Sequence, residues 1–271
     1  MNKELFIEPA SMDIAWNDPW ENLRRMEAIL KKRLAKHPKI PSESRLFVFP
    51  ELCLTGFVTK RPSSFGLKPM HPVLKQLASL AARHKTALVA GFPEQNPKNP
   101  AKPYNAAVLV NPQGDIIANY HKIHLFTQGD SAESKGYTPG KAGLVCRYRG
   151  WKIGFSICFD IRFPALFHAY AREKVDLLLM PSCWIGGVHK TYQFKTINSG
   201  HAILTQAYAV AVNRSGRDPF FEYDGSEYAF SPYGENRYEG SPVKLDAQEL
   251  ELCRKLIVRP SDQERYPVKP A

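Results

Sequence analysis

The chain has 271 residues, with 37 basic against 26 acidic side chains and a formal charge of +11. At 44% hydrophobic and 23% charged it has the make-up of an ordinary folded protein, long enough to bury a core without disulfide or metal staples. Collagen, coiled coil and membrane protein are excluded, because even the run 175–180 is interrupted by Asp176 and falls far short of the ~20 apolar residues that span a bilayer.

Met1 to Glu8 carries no apolar signal core, and the five cysteines include no Cys-x-x-Cys pair. A cytoplasmic protein with reduced thiols is expected, with neither a disulfide scaffold nor a structural zinc. Asp18-Pro19-Trp20-Glu21 starts a helix: Asp18 caps, Pro19 suits the first helical position, and Leu23, Met26, Leu30 and Leu34 recur on one face. That helix carries Lys31-Lys32-Arg33, the only tight basic run, which is read as a solvated face. With the other basic residues scattered, a nucleic-acid partner is not expected.

Leu46 to Phe49 reads as a buried strand closed by Pro50. A second amphipathic helix spans about Pro72 to Lys85, followed by a strand from Ala87 to Ala90. Ala106 to Val110 and Ile116 to Tyr120 flank Asn111-Pro112-Gln113-Gly114-Asp115, a hairpin signal. A strand pair, Leu144 to Tyr148 and Trp151 to Ile157, surrounds Arg149-Gly150. A helix from Pro164 to Glu173 and a strand from Leu177 to Met180 come next.

The last third holds a helix from His189 to Gln206 and a strand from Tyr208 to Val212. A second hairpin candidate, Glu227 to Ser231, turns at Pro232-Tyr233-Gly234-Glu235. Beyond Pro242 come a short strand and a helix from Asp246 to Leu256. The faint repetition suggests two similar halves in a layered α/β fold with mixed sheets. No linker-like stretch interrupts the chain. One domain over 1–271 is expected, with 243–271 as a tail packing on the surface or on a partner subunit.

Three polar residues stand at the ends of apolar strands: Glu51, Lys122 and Cys158. Singly, each is more often a solvated carboxylate, a surface lysine or an inert core thiol. Their surroundings change that. Cys158 sits where a strand yields to a turn and a helix, a geometry that projects the thiol toward free backbone N–H groups. Lys122 is embedded in Tyr120-His121-Lys122-Ile123-His124-Leu125-Phe126, an unusual setting for a merely solvated charge. His121 and His124 could each pair with a cysteine as a base, although local packing or hydrogen bonding is the plainer role.

At these residues the chain resembles the nitrilase superfamily, carbon–nitrogen hydrolases with a Glu–Lys–Cys triad. The resemblance runs from Met12-Asp13-Ile14-Ala15-Trp16 to about Gly234. It includes Pro50-Glu51-Leu52 with Thr55-Gly56-Phe57, His121 to Phe126 before Tyr137-Thr138-Pro139-Gly140, Cys158-Phe159-Asp160-Ile161-Arg162-Phe163-Pro164, and Asn213-Arg214-Ser215-Gly216. It implies a four-layer αββα sandwich, usually assembled at least as a homodimer, and needs no metal or organic cofactor. By the same resemblance Glu51 is the general base, Lys122 the oxyanion-stabilising cation and Cys158 the nucleophile. Glu133 best matches a second family glutamate. Phe159 is expected to offer its N–H to the oxyanion, and Arg162, Cys183 and Trp184 to bind substrate. Asp160 and Arg162 could pair with each other or with neighbours, whereas Cys53, Cys146 and Cys253 read as structural.

Within the superfamily the resemblance is closest to bacterial omega-amidases, which implies cleavage of the terminal amide of a small dicarboxylate monoamide such as 2-oxoglutaramate or succinamate. An N-carbamoyl amine hydrolase, a deaminated-glutathione amidase, a nitrilase and a catalytically idle binding module are the alternatives. Two features depart from the family pattern. Relatives carry an Ala-Arg-Ala-x-Glu-Asn-type stretch where this chain reads Gly200-His201-Ala202-Ile203-Leu204-Thr205, and residues 218–223 are a further difference.

Overall fold

The computed structural model describes residues 4–58, 64–67, 70–129 and 132–257. Strand β1 (Phe6–Pro9) leads into helix α1 (Pro19–Lys36), where the Asp18 side chain accepts from the Glu21 N–H at 2.9 Å. Then come β2 (Arg45–Val48), α2 (Pro72–His84), β3 (Ala87–Glu94), β4 (Tyr104–Val110) and β5 (Ile116–His121). The second half runs β6 (Val145–Tyr148), β7 (Trp151–Phe155), α3 (Pro164–Arg172), β8 (Leu177–Ser182), α4 (Lys190–Thr205) and β9 (Tyr208–Asn213). A small hairpin, β10 (Ser215–Arg217) with β11 (Glu222–Asp224), is followed by β12 (Glu227–Phe230), β13 (Val243–Lys244) and α5 (Ala247–Leu256).

Among the described residues the first sheet has the order β13-β1-β2-β3-β4-β5, parallel through β1, β2 and β3 and antiparallel at both margins. The second, β12-β9-β8-β7-β6, repeats the plan: parallel through β7, β8 and β9, antiparallel outside. Strand alternation builds the layers. Ile7, Leu46, Val48, Val89 and Ala107 join Ile153, Phe155, Leu177 and Val210 of the second sheet in one buried cluster. Phe47, Leu88, Ala90, Phe92 and Val108 point the other way, onto Leu23, Met26 and Leu30 of α1 and Leu74 and Leu77 of α2. Leu166, Phe167 and Tyr170 of α3 and Phe194 and Ala202 of α4 cover the second sheet. The result is the expected αββα sandwich.

Two local expectations need correction. The turn at 231–235 forms, with the Gly234 N–H on the Ser231 carbonyl at 2.9 Å, and the chain starts back antiparallel, the Arg237 N–H on the Ala229 carbonyl at 2.8 Å and Asn236 opposite Phe230, but this return arm does not extend into a strand. That arm (Asn236-Arg237-Tyr238-Glu239) is polar and largely exposed, and the long pairing of β12 is with apolar β9. Nor is Lys31-Lys32-Arg33 wholly solvated. Arg33 turns inward, meeting Glu227 of β12 at 2.6 Å and the Tyr238 hydroxyl at 2.7 Å, while Lys31 stays out beside Glu27.

Residues 243–256 pack on their own chain, β13 against β1 and α5 through buried Leu250 and Cys253. The remainder of the expected tail, 258–271, lies outside the described residues. No described helix is long and apolar enough to cross a membrane.

Candidate active site

Glu51 follows β2, Lys122 follows β5 and Cys158 follows β7, and all three line one pocket where neighbouring strands end. After Pro50 the chain folds back through Leu52, whose φ is +47°. This turn presses so closely on β3 that a Cβ on Gly91 would stand 2.4 Å from the Leu52 nitrogen. Only glycine fits there. The Glu51 side chain, 1% exposed, accepts from the Lys122 ammonium at 2.7 Å, from Asn105 Nδ2 at 2.8 Å and from the Cys183 N–H at 2.7 Å.

Lys122 is equally buried and is anchored by its backbone: its N–H donates to the Asn105 carbonyl and its own carbonyl accepts from Gly140. Its Nζ lies 2.7 Å from both Glu51 and Glu133. Burial opposes the ammonium charge, but the two carboxylates outweigh it and hold the pKa well above the ordinary lysine value. Glu133 sits on a short 3₁₀ turn, Glu133–Lys135, fully buried, accepting also from Asn105 Nδ2 at 2.6 Å and from the Phe126 N–H at 3.1 Å. Burial raises its pKa, Glu51 adds to that, and Lys122 and Asn105 oppose it.

Cys158 heads a 3₁₀ segment, Cys158–Arg162, with φ at +47°. A left-handed conformation in a non-glycine residue costs about 1–2 kcal/mol. Asp160 holds the turn in place. One carboxylate oxygen accepts from the Ile157 N–H at 3.0 Å and the Tyr120 hydroxyl at 2.8 Å, and the other from the His124 N–H and Nδ1, both at 2.8 Å. The residue before the thiol and the segment after Lys122 are thereby tied to one buried group. Burial pushes the pKa of the Cys158 thiol well up, the Glu51 carboxylate adds to that and Lys122 opposes it.

The remaining expected site residues separate by place. Phe159, Arg162, Cys183 and Trp184 all line the same pocket. Cys183 is buried with its thiol on the Glu51 carbonyl at 3.1 Å. Arg162 does not pair with Asp160: exposed at the mouth, it bonds the Gln193 side chain at 2.7 Å and lies 4.9 Å from the Trp184 ring centroid. His121 stacks on Tyr104 and bonds Glu94; His124 stacks on Phe163 beside Asp160. Both histidines have the local roles their sequence setting favoured.

Sequence reasoning missed Asn105, whose amide joins the two glutamates. Its only local signal is a polar side chain at the head of apolar β4. It singled out the motif beginning at Asn213 without giving that residue a role; Asn213 takes the Trp184 N–H at 2.7 Å and donates to the Trp184 carbonyl at 2.9 Å. Tyr223, from the 218–223 difference, lines the pocket with its hydroxyl on Asp218 at 2.7 Å, and Lys190 lines it from the first turn of α4. The departure at 200–205 falls behind the turn that carries Cys158: His201 is buried, stacked on Phe167, with Nε2 on the Ile161 carbonyl at 2.8 Å.

Residues 9–241 match the family model described as carbon-nitrogen hydrolase. An (R)-stereoselective amidase of a Pseudomonas species is 30% identical over 79% of this chain and 77% of its own. Omega-amidase YafV of Yersinia enterocolitica is 28% identical over 94% of this chain and 91% of its own. Among solved structures, Nit3 of Saccharomyces cerevisiae superposes with a TM-score of 0.85 at 22% identity, covering 97% of both chains, which shows a shared fold. The chain belongs to the carbon–nitrogen hydrolase family and is similar to omega-amidases. It is an enzyme of that class, a hydrolase of carbon–nitrogen bonds.

Proposed function

We propose that the protein is an omega-amidase-type enzyme that hydrolyses the terminal carboxamide of a small dicarboxylate monoamide through a Cys158 thioester. The carrying observation is the interlocked group of Glu51, Lys122, Glu133 and Asn105, with Glu51 and Lys122 lining the same pocket as the Cys158 thiol.

A carboxamide carbon is a weak electrophile and a neutral thiol a weak nucleophile. Glu51 takes the Cys158 proton as sulfur bonds to the carbonyl carbon, and the carbonyl π electrons move onto oxygen. That oxyanion meets the Lys122 ammonium and the Phe159 N–H. As the adduct collapses, the carbon–nitrogen bond breaks and Glu51 hands its proton to the departing ammonia. Water then gives a proton to Glu51 while its oxygen attacks the thioester, and collapse releases the acid and returns the proton to sulfur. Glu133 keeps Lys122 charged and fixed in direction throughout.

At the pocket mouth Arg162 is placed to receive the distal carboxylate of such a substrate, with Trp184 as a flat wall. Assembly into at least a dimer belongs to the same proposal, supported by exposed Ile203 and Leu204 on α4 and by Leu252 and Leu256 on α5. So does a cytoplasmic setting that keeps Cys158 and Cys183 reduced.

The test is ammonia release from succinamate and 2-oxoglutaramate by the wild-type protein and by Cys158→Ala. Release by the wild type alone is expected. Turnover of an N-carbamoyl amine or a nitrile with neither monoamide cleaved would transfer the protein to another branch of the same chemistry.

A further inference from the structure

The pocket mouth holds a second cation that the triad does not use. Lys190 opens α4 immediately after His189, whose φ is +62°, and lines the pocket from that position. The Trp184 indole N–H donates to the Lys190 carbonyl at 2.9 Å, fixing where the lysine begins. The Lys190 ammonium then lies 6.0 Å from the Trp184 ring centroid, and the Arg162 guanidinium lies 4.9 Å from the same ring. Neither has a carboxylate within ion-pair distance among the described residues; Arg162 meets only the neutral Gln193 amide. On the inner side, Phe57, Phe126, Phe159 and Ile185 are apolar. Such a pocket offers an amide-sized polar floor, an apolar waist and an unneutralised positive rim.

We infer that Lys190 is a specificity-determining residue that selects acyl donors carrying negative charge at the end distal to the scissile amide. The inference rests on the amidase proposal above and deepens it. Two cations flanking one indole can both reach a carboxylate laid along the ring, whereas an uncharged tail leaves them hydrated and gains nothing. Because Lys190 touches the substrate tail and not the reacting carbonyl, its contribution falls on kcat/KM through KM, with kcat little changed.

The experiment compares succinamate with butyramide, which replaces the carboxylate by a methyl group, in wild type, Lys190→Gln and Lys190→Arg. Wild type is expected to favour succinamate. In Lys190→Gln the kcat/KM for succinamate falls by on the order of fivefold to tenfold, as suits one partly solvated charge-assisted contact. Butyramide hydrolysis is unchanged, and Lys190→Arg restores the preference. An unchanged ratio in Lys190→Gln, or equal losses on both amides, would overturn the inference and leave the amidase proposal standing. A wild type that cleaves neither amide would overturn both.

Discussion

Asp160 receives both the backbone N–H and the Nδ1 of His124 at 2.8 Å with one carboxylate oxygen, so the chain leaving Lys122 is fastened to the turn that carries Cys158. The other oxygen takes the Ile157 N–H and the Tyr120 hydroxyl. In Asp160→Asn, one of these two acceptor positions becomes a donor facing donors. Leaving buried groups unpaired costs about 1–3 kcal/mol each. Denaturant unfolding is expected to show a loss of that order. The kcat for ammonia release is expected to fall further than the folded fraction explains, because the segments carrying Cys158 and Lys122 lose their shared anchor.

Glu133 and Glu51 converge on one ammonium, each 2.7 Å from Lys122. Glu133→Gln keeps the shape but withdraws one charge and sets an amide among the donors of Lys122, Asn105 and Phe126. On the order of 10–100-fold is expected to be lost from kcat, with KM little altered. Lys122→Met removes the cation itself and is expected to lower kcat by on the order of 100-fold or more. Steady-state kinetics on succinamate check both.

His201 gives the structure an acid sensitivity. Burial lowers its pKa below the ordinary 6.5, and the Ile161 carbonyl opposes only part of that. Below 6.5 the unfolded chain therefore binds a proton that the folded chain refuses, so stability present above that pH is lost as pH falls toward the folded value. Urea unfolding at a series of pH values should show a decline below about 6.5, and the decline should be shallower in His201→Gln.

Cys183 shares the pocket with Cys158, yet its contribution to Glu51 is a backbone N–H. Burial, with Glu51 adding, pushes the Cys183 thiol well above its ordinary pKa. Cys183→Ala keeps the N–H and is expected to retain ammonia release within a few-fold. Cys183→Phe, which fills the pocket, is expected to abolish it. Assaying the pair separates a wall from a second nucleophile.

Much of the fold was legible because its inner strands are apolar almost throughout and its helices carry clear starts, such as Asp18-Pro19. β1 escaped notice because Glu8 interrupts its pattern. Only the folded chain shows that Glu8 is buried against Arg45 of the parallel neighbour β2. The hairpin β10–β11 is short, with charged outer positions such as Arg217 and Glu222, and carries no apolar period to read. At the site, the three strand-end residues and Glu133 could be named from local motifs. Asn105 could not, since its role is defined by partners 54 and 28 residues away. Arg162 was legible as a charge beside the nucleophile, but its outward turn onto Trp184 depends on where α4 begins.

The central claim is that the acyl group passes through the Cys158 sulfur. Acid-quenching the wild type during succinamate turnover, followed by intact-protein mass and peptide mapping, tests it most directly. A succinyl group on Cys158 alone is expected, absent from Cys158→Ala, with ammonia release by that variant reduced at least ~1,000-fold. Undiminished release by Cys158→Ala, or an acyl group carried on Cys183 instead, would contradict it.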